Sequence, residues 1–308
     1  MQPSSGGRPA KLSLGRPYRR SERQRAPDAH PSCSEDTAVR STDTDALGSR
    51  ISALDAGYLP PDPYAHLLAG ESSAPARRPL LINIGTALRI RHIDVLLDAF
   101  LASGRLPEPG ATSLEAAGAA LGGAAQPVQV LSLGAGSDSR FWRICDAAHT
   151  SAALARYVEV DFPEMARAKA DHIRRTPALT SRIAGLRAPE PESEVILEGD
   201  KYALLGLDLR TLAAGAAPAP PALERLMAQL DPKKPTLVLL ECVLAYMDAG
   251  VADAALSAVL SRLGRVGIVL YDMCVSGEAG QGELEPSRFG QVMLHNLSVR
   301  GVPGGGPC

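Results

Sequence analysis

The chain has 308 residues, 45% hydrophobic and 21% charged, which supplies a sizeable core and excludes wholesale disorder. A net charge of −2 with a pI near 6.3 does not suit a polyanion binder, and no apolar run approaches the roughly 20 residues that span a bilayer. Cys33, Cys145, Cys242, Cys274 and Cys308 form no CxxC pair and the six histidines show no ligand spacing, so no disulfide framework and no metal site is expected, in a reducing, cytoplasmic setting.

Residues 1–40 read as a disordered tail. Residues 1–26 hold seven Lys/Arg against one acid, Glu22, which suits a solvated tail or, alternatively, an organelle transit peptide. A single domain is expected over 41–300. Within it, 41–104 predicts helices. Asp45 is placed as a cap for a helix running toward Leu54, Pro60, Pro61 and Pro63 as a rigid turn, and Tyr64 to Leu68 as a short helix. Residues 82–104 read as a strong helix, with Ile93, Leu96, Leu97, Phe100 and Leu101 on one stripe and Gly104 as its stop. The Gly/Ala/Pro-rich stretch 105–127 reads as a flexible insertion.

From 128 short apolar runs alternate with helical segments. VQVLSLGAG (128–136), YVEVDFP (157–163), YALLGLDL (202–209), TLVLLECVLAYM (236–247) and VGIVLYDM (266–273) read as strands. SDSRFWRICDAA (137–148), MARAKADHIRR (165–175), AGVADAALSAVLSRLG (249–264) and SRFGQVMLHNL (287–297) read as helices. Such an order predicts an α/β fold with a doubly wound, mostly parallel sheet.

In such a sheet a ligand binds outside the carboxyl ends of the strands, so the last residues of each strand matter most. The first run ends in Gly134-Ala135-Gly136, which opens backbone N–H groups to a ligand, but Ser137-Asp138-Ser139 leaves GxGxxG incomplete. The second ends in Asp161, suited to ribose hydroxyls. The third ends in Asp208-Leu209, a carboxylate for an adenine amine beside an apolar side chain for its ring. Glu241 stands near the end of the fourth. Three acids with one nearby cation, Arg140, fit a pyrophosphate cofactor poorly and a cationic, phosphate-free nucleoside well. S-adenosyl-L-methionine carries a sulfonium and an ammonium that carboxylates favour. Its own carboxylate then needs a cation from outside the sheet.

The blocks LSLGAGSDSRFWR, YVEVDFP, YALLGLDLR, TLVLLECVLAYM and RFGQVMLHNL, preceded by ALGSRISALDAGYLPPDPY and INIGTALRIRHIDVLLDAFL, resemble the leucine carboxyl methyltransferase family in order and spacing. The resemblance covers roughly residues 43–300. It implies a class I S-adenosylmethionine-dependent methyltransferase fold. It also implies methylation of the C-terminal leucine carboxylate of the catalytic subunit of type 2A protein phosphatases, by a monomer without nucleic acid, membrane or metal. Carried over, Gly134 contacts the cofactor, Asp161 holds its ribose, Asp208 and Leu209 its adenine, and Glu241 faces its methionine portion. Arg50 (a lysine in some relatives) and Arg89 stand near the cofactor or substrate carboxylate. Ile84 and Thr86 depart from the family's usual NRGYxxR pattern. The family also continues past 297 into closing strands, so GVPGGGPC (301–308) reads as a truncated end.

A carboxylate nucleophile is already ionised at neutral pH, so no general base is expected and Arg89 acts by positioning. Residues near Tyr246, Met247 and the 289–297 helix are candidates for a leucine side-chain slot, with ordinary core packing as the alternative. Rival readings are a transfer-RNA wybutosine-synthesis carboxyl methyltransferase, a small-molecule O-methyltransferase, and a non-catalytic phosphatase-binding protein. A nicotinamide dehydrogenase fits less well, because the third glycine is missing.

Overall fold

The structure, a computed structural model, describes residues 33–70, 77–104, 126–187, 193–213 and 219–272. The tail over 1–32, nearly all of the 105–127 insertion, the 287–297 helix and the end at 301–308 lie outside the described residues.

Three helices come first: α1 (Cys33–Asp55), α2 (Pro63–Ala69) and α3 (Leu80–Ser103). Helix α1 corrects two expectations. It begins inside the segment read as tail, and Asp45 sits in its interior, where it pairs with Arg78 at 3.0 Å instead of capping. Helix α2 forms where expected. The Asp62 carboxylate accepts from the N–H groups of Tyr64 and Ala65 at 3.1 and 3.2 Å, and Pro63 occupies the first turn, where it forfeits no hydrogen bond. Helix α3 ends at Gly104, whose left-handed φ of +59° lets its N–H return to Phe100 O at 2.8 Å. Its predicted stripe is the buried one: Ile93, Leu97, Phe100 and Leu101 are in the core.

The rest alternates: β1 (Val128–Leu133), α4 (Arg140–Asp146), α5 (Ala148–Ala153), β2 (Leu154–Asp161), α6 (Pro163–Arg175), α7 (Pro177–Thr180), β3 (Val195–Glu198), β4 (Tyr202–Gly206), α8 (Pro221–Met227), β5 (Thr236–Glu241), α9 (Ala249–Leu260) and β6 (Val266–Tyr271). The six strands form one sheet in the order β3-β4-β2-β1-β5-β6. All neighbours are parallel except β3, which runs antiparallel to β4. The predicted doubly wound, mostly parallel α/β sheet is therefore what forms. Strand β3 is an addition to it.

Both faces of β1, β2, β4 and β5 are buried, while edge strand β6 exposes Ile268, Leu270 and Tyr271, and the period of two divides the central strand residues between the faces. Val128 and Val130, Tyr157, Tyr202 and Leu204, and Leu237 join Phe100, Phe141 and Trp142 in one core. Leu131 and Leu133, Val158 and Val160, Ala203 and Leu205, and Val238 and Leu240 join Leu226 and Val259 in the other. Phe141, Trp142 and Tyr202 pack as an aromatic group with centroids 4.5–5.7 Å apart, and the indole N–H donates to Leu179 O at 3.1 Å. Chain order reverses at β1, so the crevice between the carboxyl ends of β1 and β5 is the switch point.

Candidate functional site

The turn after β1 is built by its glycines, though not to free its N–H groups. Gly134 takes φ +68° and Gly136 φ +46°, a region that disfavours side chains. A Cβ on Gly134 would lie 2.6 Å from Val243 Cγ2. Every N–H from 134 to 138 already has a partner. Gly134 and Ala135 donate to Val160 O at 2.8 and 3.1 Å, Gly136 to Asp161 Oδ2 at 2.6 Å, Ser137 to Asp43 Oδ1 at 2.8 Å, and Asp138 to Ala135 O at 3.0 Å. This corrects the expectation of open backbone donors. It also gives a physical reason against a pyrophosphate ligand, which needs those donors.

Asp161, at the end of β2, accepts from Gly136 N–H on one oxygen and from Phe162 N–H, at 2.7 Å, on the other. Burial raises its pKa, against the lowering effect of those two bonds. Each oxygen keeps acceptor capacity, which suits a pair of hydroxyls.

Glu241, at the end of β5, is part of an ion-pair network, not an exposed acid. Arg140 is 1% exposed and reaches Asp94, Asp138 and Glu241 at 2.8, 2.9 and 2.8 Å. Arg89 Nε, from α3, lies 2.8 Å from Glu241 Oε1, and its Nη1 faces Cys242 Sγ at 3.8 Å. Arg50, from α1, meets Asp138 Oδ1 at 3.2 Å and Ser139 Oγ at 3.1 Å. Arg143 joins Asp94 and Asp62 to the group. Burial alone would raise the Glu241 pKa, but Arg140, Arg50 and Arg89 hold it below its usual value. Asp138 is likewise held low, with Arg140 and Arg50 outweighing its burial. The surplus of negative charge expected at the strand ends is thus compensated by arginines from α1, α3 and α4.

Strand β4 ends at Gly206, so Asp208 lies past the strand, capping a 3-10 turn at 209–212. Both its oxygens are engaged by Arg210. Leu209 joins Leu133, Leu240, Leu244 and Met247 around a small apolar cavity. Of the residues suggested for a leucine slot, Met247 therefore lies beside Leu209, whereas the Tyr246 hydroxyl is bonded to Thr42.

Helix α1 crosses all of this. Asp36, Arg40, Asp43 and Arg50 share one helical face. Asp36 pairs with Arg210 after β4. Arg40 lies 6.0 Å from the Phe162 ring and 3.6 Å from Glu164 after β2. Asp43 takes the Ser137 N–H and hydroxyl after β1, and Arg50 takes Asp138. Below the turn, Lys169 of α6 donates to Asp138 O at 3.0 Å and pairs at 2.6 Å with Glu159, which is fully buried in β2 and also accepts from Tyr202 Oη. Burial pushes the Glu159 pKa up to about 7 despite Lys169. Asp36, Asp43 and Lys169 lie outside the motif blocks, and Arg210, which closes YALLGLDLR, drew no role from that motif. The helical spacing of 36, 40, 43 and 50 was the available clue, and it is legible only once α1 is known to start before Asp45.

Among the described residues no group of three or more His, Cys, Asp or Glu could hold a metal, and no helix is long and apolar enough to cross a membrane. Cys242 adopts a left-handed φ of +55°, and burial pushes its thiol up to about 11, so it is protonated at neutral pH.

A switch-point crevice bounded by Asp161, Leu209 and Glu241, with the N–H groups of residues 134–138 engaged within the chain, suits the class I methyltransferase fold. Comparison with known proteins narrows this. The family described as leucine carboxyl methyltransferase matches residues 115–260. Leucine carboxyl methyltransferase 1 of Cryptococcus neoformans var. neoformans is 35% identical over 90% of this chain and 75% of its own length. Leucine carboxyl methyltransferase 1 of Mycosarcoma maydis is 31% identical over 86% of this chain, which spans 62% of that relative's length. The tRNA wybutosine-synthesizing protein 4 of Homo sapiens is 34% identical over 86% of this chain and 34% of its own length. The chain belongs to the leucine carboxyl methyltransferase family.

Proposed function

We propose that the chain transfers a methyl group from S-adenosyl-L-methionine to the α-carboxylate of a C-terminal leucine, and that the acceptor is the catalytic subunit of a type 2A protein phosphatase. The same proposal makes it a cytoplasmic monomer that needs neither nucleic acid nor membrane. The observation that carries it is the presence in one crevice of Asp161, a half-buried acceptor, and Arg89, a guanidinium whose one ion pair among the described residues is with Glu241.

When bound, the donor supplies an electrophilic methyl on a sulfonium. Asp161 would hold its ribose, and Asp208 with Leu209 its base, with Gly134 as a surface against which it lies. Glu241 and Arg50 would set the charge around its amino-acid end. The acceptor carboxylate is ionised at neutral pH, so no side chain has to remove a proton. Arg89 orients that carboxylate while Glu241 holds the guanidinium in place. The compensated network keeps the crevice from binding either ion so strongly that their mutual neutralisation is opposed.

A second reading, methylation of a carboxylate on transfer RNA, is favoured by the similarity to the human wybutosine-synthesizing protein. A labelled-methyl assay separates the two. The full chain should label a phosphatase catalytic subunit ending in leucine, and not the same subunit with that leucine removed. Label on transfer RNA alone would favour the second reading. Arg89→Ala should lower transfer to the phosphatase about tenfold or more, the value of one charge-assisted contact. Asp161→Ala should abolish calorimetric binding of the donor. Unchanged behaviour of both variants would refute the assignment.

A further inference from the structure

Asp208 is the carboxylate that the proposed function reserves for the donor's base, yet its oxygens are already taken. Arg210 Nε lies 2.9 Å from both Oδ1 and Oδ2, Nη2 lies 2.6 Å from Oδ2, and the Arg210 N–H donates to Oδ1 at 2.9 Å. The same guanidinium grips a second carboxylate. Nη1 is 3.0 Å from Asp36 Oδ1 and Nη2 is 3.1 Å from Asp36 Oδ2. Its plane also lies 5.5 Å from the centroid of Phe162, the residue after Asp161. One cation is therefore shared between the loop after β4 and the first turns of α1.

Three N–H groups of Arg210 fill most of the acceptor positions of Asp208, with Nε–H spanning both oxygens, so an amine, itself a donor, gains full access to an oxygen when Arg210 gives one up. Arg210 can do so without losing its charge partner, because the Asp36 contact is two-pronged. Asp36, Arg210 and Asp208 are each about a quarter exposed, and pairs of that kind are weak enough to exchange. Phe162 gives the guanidinium a fixed surface on either side of the exchange.

We propose that Arg210 is a positioning residue for the donor: it yields an oxygen of Asp208 to the base amine and is retained by Asp36, so that seating the base tightens α1 across the strand ends. This rests on the function proposed above and adds the residues that regulate base entry. The preference for an amine-bearing base depends on Asp36, a residue that does not touch the base. Arg40 and Asp43 follow along the same face of α1, so a firmer grip on Asp36 is transmitted to the turns after β2 and β1.

The test is calorimetric titration of the full chain with S-adenosylhomocysteine and with S-inosylhomocysteine, which lacks the amine. In Asp36→Asn, Arg210 keeps Asp208. Affinity for the adenosyl compound should then fall about two- to fivefold, as for loss of one partly exposed ion pair. The inosyl compound should lose less, so the preference for the amine shrinks. In an Arg210→Gln background, adding Asp36→Asn should change neither. Thermal melting of each variant reports the fold independently. A native adenosyl preference in Asp36→Asn, or an equal effect of that substitution in the Arg210→Gln background, overturns the exchange. If the native chain binds the adenosyl compound and Asp161→Ala does not, such a result removes the exchange alone. If the native chain binds neither compound, the proposed function falls with it.

Discussion

Alanine at position 134 tests the turn on which the crevice is built. Two costs are separable. The left-handed φ of +68° at Gly134 is unfavourable for any side chain, at about 1–2 kcal/mol. The added Cβ would also stand 2.6 Å from Val243 Cγ2 and 3.2 Å from its Cγ1. Ordinary carbon contacts lie near ~3.5–4.0 Å, so the overlap is about 1 Å. Val243 is β-branched and buried, following the left-handed Cys242, and has little freedom to turn away. Overpacking of that kind costs about 1–3 kcal/mol. Gly134→Ala should therefore lose about 2–5 kcal/mol in urea unfolding, seen as a lower midpoint at unchanged slope. Removing the valine methyls with Val243→Ala in the same chain should return part of the loss and leave the backbone share. A Gly134→Ala midpoint equal to that of the native chain would refute the steric argument. So would a double variant no more stable than the single one.

Three further outcomes follow from the buried charges. Glu159 has a folded pKa near 7 against an ordinary 4.5, so the folded state holds a proton that the unfolded state releases. Its contribution is present below pH 4.5 and is lost as pH rises to 7. Glu159→Gln should flatten that part of the stability–pH curve, and an unchanged slope would count against it. Arg140→Met leaves Asp138 and Glu241 short of a buried cation and should cost about 3–5 kcal/mol by the same unfolding assay; a loss below 1 would contradict the network's geometry. Cys242, with its thiol near 11, should resist iodoacetamide at pH 8 in the folded chain, and rapid alkylation seen by mass spectrometry would show that its burial is wrong.

The sheet was legible because its strands are apolar on both faces and end in glycine or acid. Helix α3 was legible because its stripe is apolar at helical spacing. Strand β3 was not, being four residues of VILE with only one antiparallel neighbour. The start of α1 was missed for a different reason. CSEDTAVRSTDTDALG has no apolar stripe, and its inward face is half-buried against charged loops, so hydrophobic periodicity cannot register it. The acids after β2, β4 and β5 were visible as residues, but the arginines that neutralise Glu241 and Asp208 were not visible as partners. Arg89 and Glu241 are 152 positions apart in number, and nothing local to either one announces the other.

The ion pair between Asp36 and Arg210 joins residues 174 positions apart. Ribosomal synthesis delivers α1 well before the loop after β4, so this ion pair forms only after Arg210 has emerged. The clasp of α1 over the loop after β4 therefore closes only once β1, β2 and β4 have been made, a closure across a long stretch of chain.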